Sequence, residues 1–371
     1  MTTVAHIITA LRSGGAERVL YLVATRGPQV RHVVYALADE GFYGAELRRR
    51  GIEVHSLGMR SGRVPGASLV RLIKLLRAQQ PDMIMTWLYH ADLIGTLAGR
   101  LAGVHRIIWN LRCSNFVFAE HPPTTRRIVT LLARLSRIPT AVAANSIAGQ
   151  HAHEELGYRP RRWIYLPNGF DTNEWHPDDA DRAKVRCELG LAADDFLVGR
   201  IGRVDPQKDM PTFLAAAKML AQRYPKLRVL LVGEGTEELE LPPELKPVTL
   251  VLGVRHDMYR LMRALDLNVS SSAYGEGLPN VVAEAMASGV PCVVTDVGDS
   301  ALLVGGEGVV VPPRDQEGLA RGIEKIMTKS PTERWRMGVH GRTRIDEAYS
   351  IESSLLRYRE VFSGSEGDNF K

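Results

Sequence analysis

Cysteine is scarce in this chain. Cys113, Cys187 and Cys292 are the three among 371 residues, and they form neither a C-x-x-C pair nor a metal-binding spacing. That leaves no disulfide framework to read and predicts a reduced, cytosolic setting. Long hydrophobic runs are also missing. His90, Asp92 and Arg100 interrupt the best candidate, so no stretch reaches the ~18 apolar residues of a spanning helix. The opening M-T-T-V-A-H-I-I-T-A-L lacks a basic leader and a cleavage site, and reads as a first strand rather than a signal peptide. The run S-G-G-A-E-R at 13–18 lacks the G-x-G-x-x-G spacing, so a nicotinamide-dinucleotide fingerprint is not supported. No D-x-D segment reads as a divalent-metal site, because Asp178, Asp179 and Asp181 are better explained as a helix start. No helix-turn-helix, zinc or RNA-binding signature is present, which argues against a nucleic-acid partner.

What is present is a repeating α/β pattern. The length predicts two domains of ordinary size, and 45% apolar with 24% charged residues are globular values. Strand candidates are 4–9, 32–36, 52–56, 83–86, 106–109, 141–144 and 163–165, with helical stretches between them such as 69–79 and 126–137. The segment 167–177 is rich in Pro, Gly, Asn and Asp and reads as an interdomain linker. The pattern then restarts with strands at 196–201, 228–232, 249–252, 267–270, 292–295 and 309–311, and two late helices near 331–349 and 351–362. Strict alternation of this kind predicts parallel, doubly wound sheets.

Charge is distributed unevenly. Residues 1–170 hold 22 Lys+Arg against 10 Asp+Glu, a balance of +12, whereas the remainder holds 25 against 32. A basic half suggests anionic partners, such as a membrane surface, a lipid-linked diphosphate or nucleic acid, the last weakened by the absence of a recognition signature; a soluble domain that is simply Arg-rich is the competing reading.

Two segments carry chemistry. In E-G-L-P-N-V-V-A-E at 276–284, Pro279 suits the first position of a helix that Gly289 and Pro291 end. Glu276 then lies in the loop before that helix and Glu284 about one turn inside it. The free N–H groups at a helix start, here near Leu278 and Asn280, suit a phosphate. A carboxylate one turn in suits a ribose diol. An ordinary capped helix with two surface acids is the competing reading. In G-R-V-D-P-Q-K at 202–208, Arg203 and Lys208 follow an apolar strand, at the end where open α/β sheets bind ligands. Two cations on one short loop suit a diphosphate. Gly14 and Gly15 follow the first strand and precede a helix, so backbone N–H groups there can approach a ligand closely. His90 sits in T-W-L-Y-H-A-D, just past the fourth strand candidate, with Asp92 two residues on.

Taken together, G-G-A-E-R-V at 14–19, P-N-G-F-D at 167–171, G-R-V-D-P-Q-K at 202–208, L-L-V-G-E-G at 230–235 and E-G-L-P-N-V-V-A-E-A-M-A-S-G-V-P at 276–291 resemble the retaining glycosyltransferases of family 4, the glycosyl transferases group 1. The resemblance implies the GT-B fold, with two Rossmann-like domains facing across a cleft. Residues 1–170 would bind the acceptor, 171–350 the nucleotide-sugar donor, and 351–371 would cross back to the first domain as a helix and tail. It implies transfer of a sugar from a nucleotide diphosphate sugar, UDP expected and GDP second, to a glycan or polyprenyl-linked acceptor in cell-surface polysaccharide or glycolipid synthesis. The nucleotide sugar is a co-substrate, and no cofactor or metal is implied. Arg203, Lys208, Glu276 and His90 become the expected catalytic residues, with His90 or Asp92 expected to bind an acceptor hydroxyl. Gly14, Gly15, Arg203, Lys208, Arg255, Glu276, Leu278, Asn280 and Glu284 become the expected donor-binding set, with the backbone around Gly253–Arg255 meeting the base. The expected location is cytoplasmic, peripheral on the inner face of the cytoplasmic membrane. One position departs from the pattern. Where many relatives place a histidine after the fifth strand, this chain has Cys113, so that role would pass to His90 or His121, with Arg112 as a compensating cation. Two rival readings are a non-hydrolysing nucleotide-sugar epimerase and a catalytically silent nucleotide-sugar binder.

Overall fold

The computed structural model describes residues 2–12, 14–27, 30–59, 65–112 and 122–364. The chain divides into two compact units, Met1–Gly169 with Glu352–Lys371, and Phe170–Ile351.

Unit 1 runs β1 (Thr3–Ile8), α1 (Gly15–Arg26), β2 (Arg31–Ala36), α2 (Gly41–Arg49), β3 (Glu53–Ser56), α3 (Gly66–Gln79), β4 (Met83–Trp87), α4 (Tyr89–Ala102), β5 (Ile107–Leu111), α5 (Pro123–Leu135), β6 (Ala141–Ala144), α6 (Ile147–Glu155) and β7 (Trp163–Tyr165). Unit 2 runs α7 (Asp179–Glu188), β8 (Phe196–Ile201), α8 (Met210–Ala221), β9 (Leu227–Val232), β10 (Thr249–Val251), α9 (Met258–Ala264), β11 (Leu267–Ser270), α10 (Asn280–Ala287), β12 (Cys292–Thr295), α11 (Ser300–Val304), β13 (Gly308–Val311), α12 (Gln316–Met327) and α13 (Pro331–Tyr349). The last helix, α14 (Ile351–Ser363), belongs to unit 1 from Glu352 onward.

Each expected strand is present within two residues of its expected ends. Both sheets are parallel, ordered β3-β2-β1-β4-β5-β6-β7 and β10-β9-β8-β11-β12-β13. Helices cover both faces, so the strands need apolar side chains on both sides. Alternation divides them: Ala5 and Ile7 join one core of unit 1, Val4 and Ile8 the other. In unit 2, Leu230 and Val232 face one core and Val229 and Leu231 its opposite. Strand order reverses between β1 and β4, and again between β8 and β11. Such switch points leave a crevice beyond the carboxyl ends of the strands.

The closing helix does what the family pattern implied. Tyr358, Val361 and Phe362 pack into the unit 1 core against Ile8 and Trp87. The Asn110 amide donates to the Tyr358 hydroxyl at 3.2 Å, and Arg106 donates to the Val361 and Phe362 carbonyls.

The stretch expected as a linker, 167–177, is mostly not one. Phe170 and Trp175 are buried in the unit 2 core. The Phe170 amide donates to Tyr349, and Ile351 donates back to Phe170, making a parallel bridge with Ser350. The Thr172 hydroxyl donates to Asp346 at 2.8 Å, and Arg342 donates to the Thr172 and Trp175 carbonyls. Its composition is that of a loop, but α13 gives it a surface to dock on.

Candidate functional site

The switch point of unit 2 brings two of the expected residues into contact. Beyond β8, Asp205 caps the short turn Pro206–Lys208 by accepting from the Lys208 amide. Asp209, in the left-handed region at φ +46°, caps α8 by accepting from Thr212. This geometry presents the Lys208 side chain to the loop beyond β11. Its ammonium donates to Glu276 Oε1 at 2.5 Å, and the Ser272 hydroxyl donates to the same oxygen at 2.6 Å. The Glu276 side chain is 8% exposed, and these donors supply hydrogen bonds that burial denies it from water. The Ala273 amide donates to the Gln207 carbonyl at 2.8 Å, tying the two loops together.

Glycines allow this close approach. Gly298, at φ +64°, lies against the Glu276 loop: an added Cβ would fall within 2.7 Å of the Gly277 carbonyl oxygen and closer still to that of Glu276. Gly233, at φ +137°, lies as tightly against the Gly202 carbonyl. The loops after β8, β9 and β10 are laced by bonds from Gly202 to Val232, Val204 to Glu234 and Gly233 to Gly253.

The remaining expected residues of unit 2 stand as follows. Arg203 is exposed and donates to Asp205. Arg255 makes a two-pronged contact with Asp257, at 2.8 and 2.7 Å, beyond β10. Pro279 is the cap of α10 rather than its first residue, and Leu278 is buried beneath it. Asn280 opens the helix, and Glu284 lies on its partly exposed side between buried Ala283 and Ala285. Left-handed Gly289 follows the end of α10.

In unit 1, Gly14 and Gly15 follow β1 and His90 follows β4, so all three lie at that unit's switch point. Gly14 is the extended N-cap of α1. A Cβ on Gly15 would meet no atom within 4 Å, so packing within the protein does not account for that glycine. His90 is half-buried in the first turn of α4, and burial lowers its pKa. Leu88 just before it holds φ +73°, an uncommon conformation for a non-glycine residue. The Tyr89 hydroxyl bonds His153 Nε2 at 2.9 Å, while His153 Nδ1 bonds the Gly149 carbonyl at 2.6 Å. A carbonyl only accepts, so Nδ1 carries the proton and the hydroxyl donates to Nε2.

Two sequence expectations change here. Asp92, considered beside His90 for an acceptor hydroxyl, is fully buried; it accepts from the Thr86 hydroxyl at 2.5 Å, and burial pushes its carboxyl up to about 8. Arg112, expected as a compensating cation, donates to the Leu166 carbonyl at 2.9 Å and to the Asn168 side chain, and burial lowers its pKa. It thereby pins the end of β7 to β5. Cys113 and His121 lie outside the described residues.

Sequence reasoning missed Arg200 and Gly298. Arg200 stands in β8 and is 1% exposed, donating to the Ser271 hydroxyl and to the Ile201 and Lys208 carbonyls. A charge inside an apolar strand was the available signal. Gly298 had none, since the Glu276 carbonyl it meets lies 22 positions away. Among the described residues, no group of three His, Cys, Asp or Glu is placed to hold a metal ion, and no helix is long and apolar enough to cross a membrane.

Comparison with known proteins adds the following. Residues 13–174 match the family model described as Glycosyltransferase Family 4, and residues 195–329 the one described as Glycosyl transferases group 1. The chain is 27% identical over 275 residues to the Escherichia coli UDP-Gal:alpha-D-GlcNAc-diphosphoundecaprenol alpha-1,3-galactosyltransferase, covering 70% of each chain. It is 29% identical over 213 residues to the D-inositol 3-phosphate glycosyltransferase of Mycobacteroides abscessus, covering 54% of this chain and 46% of that relative. The crystal structure of Anabaena HepE in complex with UDP superposes with a TM-score of 0.83 at 25% identity, over 98% of this chain and all of that one.

Proposed function

We propose, since this chain belongs to glycosyltransferase family 4, that it transfers a hexosyl group from a UDP-sugar to a polyprenyl-diphosphate-linked or glycan acceptor, with retention of the anomeric configuration. The observation that carries this reading is the Lys208–Glu276 contact at the switch point of unit 2. Cleavage of the bond between the anomeric carbon and the β-phosphate oxygen leaves negative charge on that phosphate. Lys208, Arg203 and the N–H groups at the start of α10 supply positive charge to meet it, and the loss of one such donor costs ~3 kcal/mol of transition-state stabilisation. Because the cations belong to the protein, the reaction runs without a divalent metal. Glu276 accepts a hydroxyl of the donor sugar, and Glu284 accepts from the ribose diol. The acceptor oxygen bonds the anomeric carbon from the side the phosphate leaves, and its proton passes to the departing phosphate oxygen. His90 orients the acceptor hydroxyl, and the N–H groups at Gly14 and Gly15 serve as anion donors. UDP is favoured over GDP because HepE was crystallised with UDP and the E. coli relative is named for a UDP-sugar. That same name supports the polyprenyl-linked acceptor.

The outer face of unit 1 supports work beside a membrane. Helices α3, α4 and α5 pack side by side. They and the turn after α5 expose Val70, Leu97, Leu101, Leu131 and Ile138 to between 37% and 50%. Exposed Arg71, Lys74, Arg77, Arg100, Arg134 and Arg137 stand among them. Apolar side chains ringed by cations suit an anionic headgroup layer.

The test is calorimetry with UDP and GDP, then mass analysis of products from UDP-galactose or UDP-glucose with a polyprenyl-diphosphate sugar acceptor in excess EDTA. Binding of UDP and a glycosylated lipid product are expected. An altered nucleotide sugar formed without acceptor would establish the epimerase instead. A rate lost in EDTA and restored by magnesium would overturn the metal-free step.

A further inference from the structure

We propose that Arg200 is a positioning residue: from inside the unit 2 core it fixes the backbone that carries Lys208, and so sets where Lys208 and Glu276 meet the donor. The inference rests on the reading of that pair given above.

A guanidinium is almost never fully buried without a carboxylate partner. The donors of Arg200 go instead to one hydroxyl and two carbonyls. Nε donates to Ser271 Oγ at 3.1 Å, one terminal nitrogen to the Ile201 carbonyl at 3.0 Å, and the other to the Lys208 carbonyl at 2.5 Å. Ser271 continues the chain, its hydroxyl lying 3.0 Å from the Lys208 carbonyl and 3.1 Å from that of Asp209. One planar side chain thus joins the end of β8, the turn bearing Lys208 and the start of the loop bearing Glu276.

The turn needs such a hold. Asp209 keeps a left-handed backbone at φ +46°, which persists in a non-glycine residue only when its surroundings enforce it. The charge of Arg200 is also felt by the acids around the site: burial pulls its pKa down to about 10, while Glu276, Asp205 and Asp209 act to raise it. A lysine would keep the charge but not the fork that reaches three acceptors. Arg186 offers a comparison from the opposite end of the same sheet. It too is buried, but it bonds Asp266 and the Asp195 carbonyl, ahead of β11 and β8.

The experiment uses the full chain with Arg200→Met, Arg200→Lys, Lys208→Ala, the double variant Arg200→Met/Lys208→Ala, and Arg186→Met as control. Amide hydrogen exchange is followed without ligand, and UDP affinity by calorimetry. Arg200→Met is expected to speed exchange across residues 205–211 and to weaken UDP binding roughly ten- to hundredfold, with Arg200→Lys restoring little of it. In the Lys208→Ala background, Arg200→Met should weaken binding by less than about twofold more, because both act through one contact. Arg186→Met should lower the melting temperature and leave UDP affinity unchanged. Unaltered exchange across 205–211 in Arg200→Met, or losses that multiply in the double variant, would overturn the proposal. If the wild-type chain does not bind UDP, the donor reading falls, while the exchange measurement still decides the role of Arg200.

Discussion

Replacing Asp92 by asparagine should make the protein more stable at neutral pH, by an amount that grows with pH. Asp92 is fully buried on α4, with the Thr86 hydroxyl on one oxygen, and burial pushes its carboxyl up to about 8. In an unfolded chain the same group titrates near 3.9. A folded value above the unfolded one means that the fold holds the proton more tightly. The associated stability is complete below about 3.9 and is lost as pH rises towards 8. Linkage puts that loss at about 1.5 kcal/mol at pH 5 and about 4 kcal/mol at pH 7. Asparagine keeps the shape and the acceptor for Thr86 but has no such titration. Its extra donor carries a desolvation cost of about 1–3 kcal/mol, which does not vary with pH. The decisive quantity is therefore the change in the difference between variant and wild type, about 2.5 kcal/mol in favour of asparagine between pH 5 and pH 7. Urea denaturation followed by tryptophan fluorescence measures it, in a Trp175→Phe, Trp335→Phe background. The remaining indoles, Trp87, Trp109 and Trp163, all belong to unit 1. Parallel pH curves for the two proteins would show that Asp92 ionises normally and that its burial has been misjudged.

Four other outcomes are expected. Gly298→Ala should reduce turnover at least tenfold, because both the positive φ and the carbonyls of Glu276 and Gly277 oppose a Cβ; normal kinetics would show that the Glu276 loop tolerates displacement. His153, held near 4, and His6, lowered by burial beside His32, are both neutral in the fold. Their depressed values mean their share of stability is intact above about 6.5 and falls as pH drops below it, so in an Asp92→Asn background, which removes the opposing titration of Asp92, urea midpoints should decline between pH 6.5 and 4.5, and more shallowly when His153→Gln is added. Glu284→Ala should weaken UDP binding by roughly 1.5–3 kcal/mol in calorimetry, and unchanged affinity would remove it from the ribose. Co-sedimentation with anionic vesicles should exceed that with neutral ones and fall with salt, and should drop further in a Leu97→Ser, Leu101→Ser variant; equal binding to both lipids would refute the docking face.

Much of the fold was legible because parallel strands buried on both faces leave uninterrupted apolar runs, as in residues 229–232. The candidate site stood out for a related reason. Arg203, Lys208, Glu276 and Glu284 lie where a strand pattern gives way to a helix pattern, and ligands gather at such junctions. The contact between Lys208 and Glu276 was not legible, since 68 residues separate them and the reversal of strand order alone makes β8 and β11 neighbours. Phe170 and Trp175 were hidden by the loop-forming residues around them; what holds them is α13, about 170 positions away. Asp92 misled differently. A polar residue beside His90 suggests solvent, but the helical register turns it inward beneath β4.

Because α14 completes unit 1, the half of the molecule that is made first is finished last. Tyr358 lies over Trp87 and Phe362 against His6, on a sheet whose strands all precede residue 166. At about 5–20 residues per second, a ribosome takes roughly ten to forty seconds to make the intervening unit. Through that interval the apolar face around Ile8 and Trp87 waits without its cover and is exposed to misassociation. Unit 2 has no such wait, because its sequence is continuous. A nascent chain of this design should therefore present a folded second unit beside an unfinished first one. A premature stop within the last helix would injure the opposite end of the gene's product from the one it truncates.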